Sequence, residues 1–323
     1  MSESKEHPFA PFVRILGKGQ KGSRGLTGDE AYQAMGMLLD GQVEDTQLGA
    51  FLMLLRFKEE TPEELAGFTR AVRERVRAPA ITVDIDWPAY AGKRRQLPWF
   101  MLAAKALANN GIRILLHGGG RHTAGRMYAE DVLDALAIAS CTSWHDVAEQ
   151  IESQNIAFIP LSVWMPRLQR MIDLRSTLGL RSPVHSLARL LNPLSATCGL
   201  QSVFHPGYQQ VHQQANVILG DHALVIKGDG GEIEVRPDVT DQLLGAADGH
   251  AWSEEWPAQI GRQVKAPTLE LERLLAVWQG DEQDLYGEQA ILATMALALR
   301  GLARDREEAF SQAAQMWENR HLN

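Results

Sequence analysis

Thr27 is followed three residues on by Glu30, and apolar Ala31, Met35, Leu38 and Leu39 then recur at helical spacing. Thr27 and Glu30 fit a capping box, so a helix is predicted to start there. Asp45 opens a second, DTQLGAFLMLLRF, which is apolar on most sides and therefore expected to be buried. Thr61, Pro62 and Glu64 supply the cap, the first-turn proline and the capping-box acid of a third helix. Its basic end, residues 70–77, suits the negative C-terminal dipole. Residues 12–16 read as a short strand or an ordered arm, and GKGQKGSRG after them as a mobile loop. Residues 1–78 thus read as a helical unit, closed by Ala78 and Pro79.

Beyond that point the pattern changes. Short apolar runs at 112–116, 156–161 and 223–227 are interleaved with helical stretches at 129–139, 145–153 and 205–219. Strands alternating with helices predict a parallel sheet covered on both faces. Segment 231–236 alternates Ile233 and Val235 with Glu232, Glu234 and Arg236, the pattern of a half-exposed strand. Segment 164–190 is helical again and is read as rejoining the N-terminal helices. Residues 288–317 predict two amphipathic helices around Gly301.

Composition adds bounds. The 323 residues are 45% apolar and 22% charged, ordinary for a globular chain with room for two domains. No apolar run reaches the ~18 residues of a spanning helix, and the first residues lack a secretory pattern. Cys141 and Cys198 are too few for a disulfide framework and suit reduced thiols, so a cytoplasmic setting is expected, with no membrane partner. There is no H-E-x-x-H, C-x-x-C or G-x-S-x-G. Neither a metal nor another cofactor is expected, and no nucleophile is indicated.

Charge changes the picture more. The net charge is −8, yet residues 87–126 hold seven bases and no acid. Lys93, Arg94 and Arg95 read as phosphate contacts, because three adjacent bases gain nothing from one another in folding. Arg121 and Arg126 extend that block. Trp99 reads as a stacking face, while Phe100 reads as core, sharing a helix face with Ala103, Ala104 and Leu107. Gly118, Gly119 and Gly120 follow a predicted strand, where backbone N–H groups reach an anion; the alternative is a tight turn. Arg14, Lys18, Lys21 and Arg24 form a basic arm or a solvated tail. Gly17, Gly19 and Gly22 spell G-x-G-x-x-G without the strand pair that nucleotide binding needs. Arg167, Arg170 and Arg175, with Arg181 and Arg189, face Asp173 alone between 161 and 213. Asp229, Glu232 and Glu234 read either as holding Mg²⁺ through phosphates or as a solvated face.

Three stretches then show a likeness. LTGDEAYQAMGMLLDGQVEDTQLGAFLMLLRFKEETPEELAGFTRAVRE, LGLRSPVHSLARLLNP and HALVIKGDGGEIEV, in that order, resemble the anthranilate phosphoribosyltransferase family and its glycosyltransferase relatives. The resemblance implies an α/β fold, with a small helical domain (1–78 and about 162–192) beside a larger α/β domain (79–161 and 193–323). It further implies a mostly parallel central sheet, a cleft between the domains and a homodimer through the helices. It also exposes departures. The family's G-T-G-G-D phosphate loop is replaced by PAYAGKRRQLPWF, with Gly92 alone surviving of the glycines. The K-H-G-N-R segment becomes Leu116, His117, Gly118, Gly119, Gly120 and Arg121. The metal-binding Asp-Glu pair falls on Glu232 and Ile233, with Glu234 displaced by one. Arg175 matches the arginine that faces the aromatic substrate. These changes point away from an enzyme and toward the YbiB-like branch: a non-sequence-specific binder of single- or double-stranded DNA or RNA, holding it in a basic groove. The alternative is a phosphoribosyltransferase or phosphorylase acting on an aromatic or nucleobase acceptor. A third reading is a module that docks an acidic protein.

Overall fold

The computed structural model describes residues 6–19, 21–205, 207–263 and 268–321. Four helices open the chain: α1 (Ala10–Gly17), α2 (Gly28–Leu39), α3 (Asp45–Lys58) and α4 (Pro62–Arg73). The strand or arm expected at 12–16 is instead helix α1. Phe12 and Leu16 share one of its faces and Phe9 caps it, the Phe9 ring lying 5.2 Å from Phe51 in an edge contact. Both predicted threonine capping boxes form, Thr27 with Glu30 and Thr61 with Glu64. Helices α2 and α4 cross where Gly67 meets Gly28; a Cβ at Gly67 would lie 2.2 Å from the Gly28 carbonyl oxygen, so only glycine permits the approach.

The next elements are β1 (Ile85–Ala89), α5 (Trp99–Asn109), β2 (Ile114–Gly118), α6 (Trp144–Gln154) and β3 (Ile156–Pro160). Four short helices follow: α7 (Leu161–Trp164), α8 (Pro166–Asp173), α9 (Arg175–Leu178) and α10 (Val184–Leu187). Leu168, Met171, Ile172, Val184 and Leu187 from them enter one hydrophobic core with Phe9, Phe51, Leu65 and Phe68 of the N-terminal helices. Then come β4 (Cys198–Ser202), α11 (Gly207–Leu219), β5 (Ala223–Ile226), β6 (Asp241–Ala247), β7 (His250–Trp256), α12 (Leu271–Gln279), α13 (Leu285–Gly301) and α14 (Arg306–Glu318).

The seven strands form one sheet in the order β3-β2-β1-β4-β5-β6-β7. The first five are parallel; β6 and β7 are an antiparallel hairpin on the edge. The architecture is therefore α/β, a small helical domain beside a larger one built on a mostly parallel sheet. Strand β7 is exposed along much of its length, and its Glu254 pairs with Arg300 and Arg306. Among the described residues no helix is long and apolar enough to cross a membrane.

Two expectations fail here. The helix predicted at 129–139 is only two single turns, Ala129–Asp131 and Asp134–Leu136, ended by Ala137 at φ 51°. The half-exposed strand predicted at 231–236 is neither a strand nor half-exposed. Glu232, Ile233, Glu234 and Val235 are all buried, because both carboxylates have partners inside the protein.

Candidate active site

Strand order places the site. From β1 the chain builds outward through β2 to β3, then returns to lay β4 and β5 on the other side. The crevice beyond the carboxyl ends of β1 and β4 is thus a topological switch point, where open α/β sheets bind ligands. A cavity of about 120 Å³ lies there, between the end of β4 and helix α10; Arg181, Ser182, His185, Arg189, Ser202 and Phe204 line it, with Arg56 and Tyr208. A second, of about 300 Å³, is walled by Arg94, Arg95, Arg126, Lys227 and Arg236. Phe204 borders both and is 55% exposed.

Positive charge converges on this crevice. Arg126 donates to the carbonyls of Ala91 (2.9 Å) and Gly92 (2.8 Å). Arg175 donates to the His122 carbonyl and the Thr123 hydroxyl, and Arg189 to the His185 carbonyl. Among the described residues none of Arg126, Arg175, Arg181 and Arg189 forms an ion pair with a carboxylate. Burial, then Arg189, Arg126 and Arg175, push the Arg181 guanidinium down to about 10. A group of cations that repel one another favours a bound anion.

The imidazoles beside them are neutral. Burial, with smaller contributions from neighbouring cations, pulls His122 down to about 4 and His185 and His212 down to about 3. His185 Nδ1 lies 3.1 Å from the Ser182 carbonyl, which only accepts, so Nδ1 carries the proton. His185 Nε2 is then a bare acceptor, and both it and Ser182 Oγ lack a hydrogen-bond partner in the protein. His212 Nδ1 lies 3.0 Å from Gln201 Oε1 in β4. The buried imidazole stays neutral in the fold, while the unfolded chain takes up its proton below about pH 6.5. Acid therefore favours unfolding from about pH 6.5 down to about 3 at this residue. Replacing His212 by glutamine is expected to reduce the slope of stability against pH in that window by about 1.4 kcal/mol per pH unit. Urea unfolding of both proteins at several pH values tests it; parallel curves would refute it.

The other half of the site is a buried charge cluster. Lys93, in the loop after β1, is completely buried, and its ammonium pairs with Asp229 and Glu234. The second oxygen of Glu234 accepts from the Phe100 N–H at 2.9 Å. Glu232 accepts from the N–H groups of Ala91 (2.7 Å) and Gly92. Burial alone would lower the Lys93 pKa, but Glu234 and Asp229 outweigh it and hold the ammonium above its ordinary value. Burial raises Glu234, Lys93 opposing it. Nearby, Nδ1 of buried His117 lies 2.7 Å from the Tyr90 hydroxyl and its Nε2 3.2 Å from Asp86, which fixes the Tyr90 ring.

Several sequence readings are corrected by this geometry. Lys93 is no phosphate contact, since its charge is spent inside. Trp99 is 1% exposed and offers no stacking face. Gly118 and Gly119 are required by packing: a Cβ at Gly119 would lie 2.8 Å from the Tyr90 ring, and one at Gly118 2.9 Å from the Ala89 carbonyl. Gly120 adopts φ +65°. Arg14 pairs with Glu6, Arg24 with Glu30 (2.6 Å), Arg121 with Asp131 and Arg170 with Asp45 (2.9 Å), so these charges are shared on the surface. Lys18 and Lys21 are exposed, and Arg167 lies over Gly41. Arg94, Arg95 and Arg126 line the second cavity, while Arg175 is tied to the His122 carbonyl and the Thr123 hydroxyl. Ser182, His185, Phe204, Tyr208 and Arg56 were not singled out from the sequence; the arginine excess at 161–213 was the available signal.

Comparison with known proteins agrees with this geometry. Residues 11–76 match the helical bundle domain of the glycosyl transferase family. An anthranilate phosphoribosyltransferase of Novosphingobium aromaticivorans is 27% identical over 299 residues, 88% of this chain and 90% of that one. An uncharacterized protein of Escherichia coli, YbiB, is 27% identical over 241 residues, 73% of this chain and 75% of that one. The crystal structure of anthranilate phosphoribosyltransferase from Thermus thermophilus superposes with a TM-score of 0.72 at 23% identity, covering 98% of each chain. That of the Saccharomyces cerevisiae enzyme in complex with PRPP and Mg gives 0.75 at 15%, covering 98% of this chain and 95% of that one. These findings overturn the nucleic-acid reading. The relatives with a named activity are phosphoribosyltransferases, and YbiB, uncharacterized, lends a nucleic-acid-binding branch no support. Residues 11–76 thus match the glycosyl transferase helical bundle, and over most of its length the chain is similar in sequence and in fold to anthranilate phosphoribosyltransferases.

Proposed function

We propose that the crevice performs ribosyl transfer on a small molecule, as a phosphoribosyltransferase or phosphorylase with an aromatic or nucleobase acceptor. One observation carries the reading. Ser182 Oγ and His185 Nε2 are buried without partners in a cavity flanked by Arg181 and Arg189, at the switch point. Unpaired buried polar atoms are costly unless a ligand completes them. The arginines suit a phosphate or carboxylate, and fixed cations there oppose the charge that builds on a departing anion. His185 Nε2 asks for an N–H or O–H on the acceptor, and the exposed Phe204 ring offers it a flat apolar wall. The names of the relatives support the same class. The two free, buried thiols suit work in the cytoplasm.

Isothermal titration with phosphoribosyl diphosphate and, separately, inorganic phosphate tests the reading. Saturable binding of one of them is expected. Arg181→Ala should weaken it by about tenfold or more, the loss of one charge-assisted hydrogen bond. Failure of the wild-type protein to bind either anion would overturn the proposal.

A further inference from the structure

The fold's relatives include an enzyme seen with Mg, so the residues that would hold a divalent ion can be tested against this chain. They do not fit. The resemblance puts the metal-binding pair at 232 and 233, but Ile233 carries no oxygen and is 1% exposed within the hydrophobic core. Glu232 commits one oxygen to the N–H groups of Ala91 and Gly92, which leaves Oε2 as its one unpartnered atom. Asp229 and Glu234 both face the Lys93 ammonium. Among the described residues no group of three or more histidine, cysteine or acidic side chains is placed to hold a metal ion. Mg²⁺ needs near-octahedral oxygen ligation and several open positions, and one buried carboxylate oxygen does not supply them.

We infer that the Lys93 ammonium is a built-in cation which occupies the place of a divalent ion between the loops after β1 and β5, so that the site takes up no divalent metal. The two loops close on the lysine: the hypothetical Cβ of Gly230 would lie 3.9 Å from Lys93 Cδ and 3.5 Å from the Gly92 carbonyl. The ammonium brings one positive charge on a tether where a free ion would bring two, and the tether keeps it there at any metal concentration. A lysine is a point charge with three donors, which suits two carboxylates approached from one side. This inference stands apart from the ribosyl-transfer reading, because it concerns the cation alone.

The test uses Mn²⁺ as the probe, read by its paramagnetic resonance signal and by the melting temperature of the full chain. The wild-type protein is expected to leave the Mn²⁺ signal free and to melt at the same temperature with millimolar Mn²⁺ or with chelator. Lys93→Ala opens the space between Asp229 and Glu234, so Mn²⁺ should bind and raise its melting temperature by several degrees. Lys93→Met fills the space without charge and should gain nothing. Stoichiometric Mn²⁺ binding by wild type that Glu234→Gln abolishes would overturn the inference. So would a Lys93→Ala protein that responds no more than Lys93→Met. Should Lys93→Ala fold only when Mn²⁺ is present, that too counts in favour, since the metal then restores the missing charge.

Discussion

Lys93→Met is expected to lower the free energy of unfolding by about 3–5 kcal/mol, the usual loss when one partner of a buried ion pair is removed. The cost comes from the charges that remain. The side chains of Lys93 and Glu234 are wholly buried, and that of Asp229 is nearly so. Without the ammonium, two carboxylates are left beside each other in a largely buried site, and they must take up protons or draw in water. Neutralising them together reverses most of the cost, because the penalty comes from unpaired charge and not from lost volume. The triple variant Lys93→Met, Asp229→Asn, Glu234→Gln should therefore regain much of the stability lost by the single variant. Urea unfolding checks both. A single variant within about 1 kcal/mol of wild type would show that the cluster is solvated, contrary to the geometry.

Trp99→Ala is the second large effect, a loss of about 3–5 kcal/mol in stability with ligand binding in the crevice unchanged. The Trp99 ring begins α5 and is packed against α13 so closely that a Cβ at Gly287 would meet it at 2.8 Å. Truncation leaves a cavity that these helices, tied to the sheet, cannot readily collapse. A surface stacking residue would behave in the opposite way, losing affinity while sparing stability. Denaturant melts combined with anion titration of the folded variant distinguish the two.

The helices at Thr27 and Thr61 were legible in the sequence because a capping box is a local signal, complete within four residues. Strands β2, β3 and β5 announced themselves as apolar runs. Strand β4, CGLQS, did not: its Gln201 is polar yet buried, satisfied by His212 and Asn216 of α11. Hairpin β6–β7 also passed unseen, its residues too mixed to stand out. The site was half legible. The local arginine excess marked its wall, but Lys93 looked like the first of three surface bases. Its partners lie more than 130 residues away, and the alternation that exposes a strand's carboxylates on paper conceals the fact that both are aimed inward. Short-range patterns report helix caps well; they carry no information on which distant charge will neutralise a given one.

An unpaired strand edge invites another chain to continue the ladder. At one end of the sheet that edge belongs to β7, where Glu254 is held by Arg300 and Arg306 while Glu255 stands exposed. A strand laid against β7 would have to accommodate that charge, so growth of the sheet on this side is discouraged.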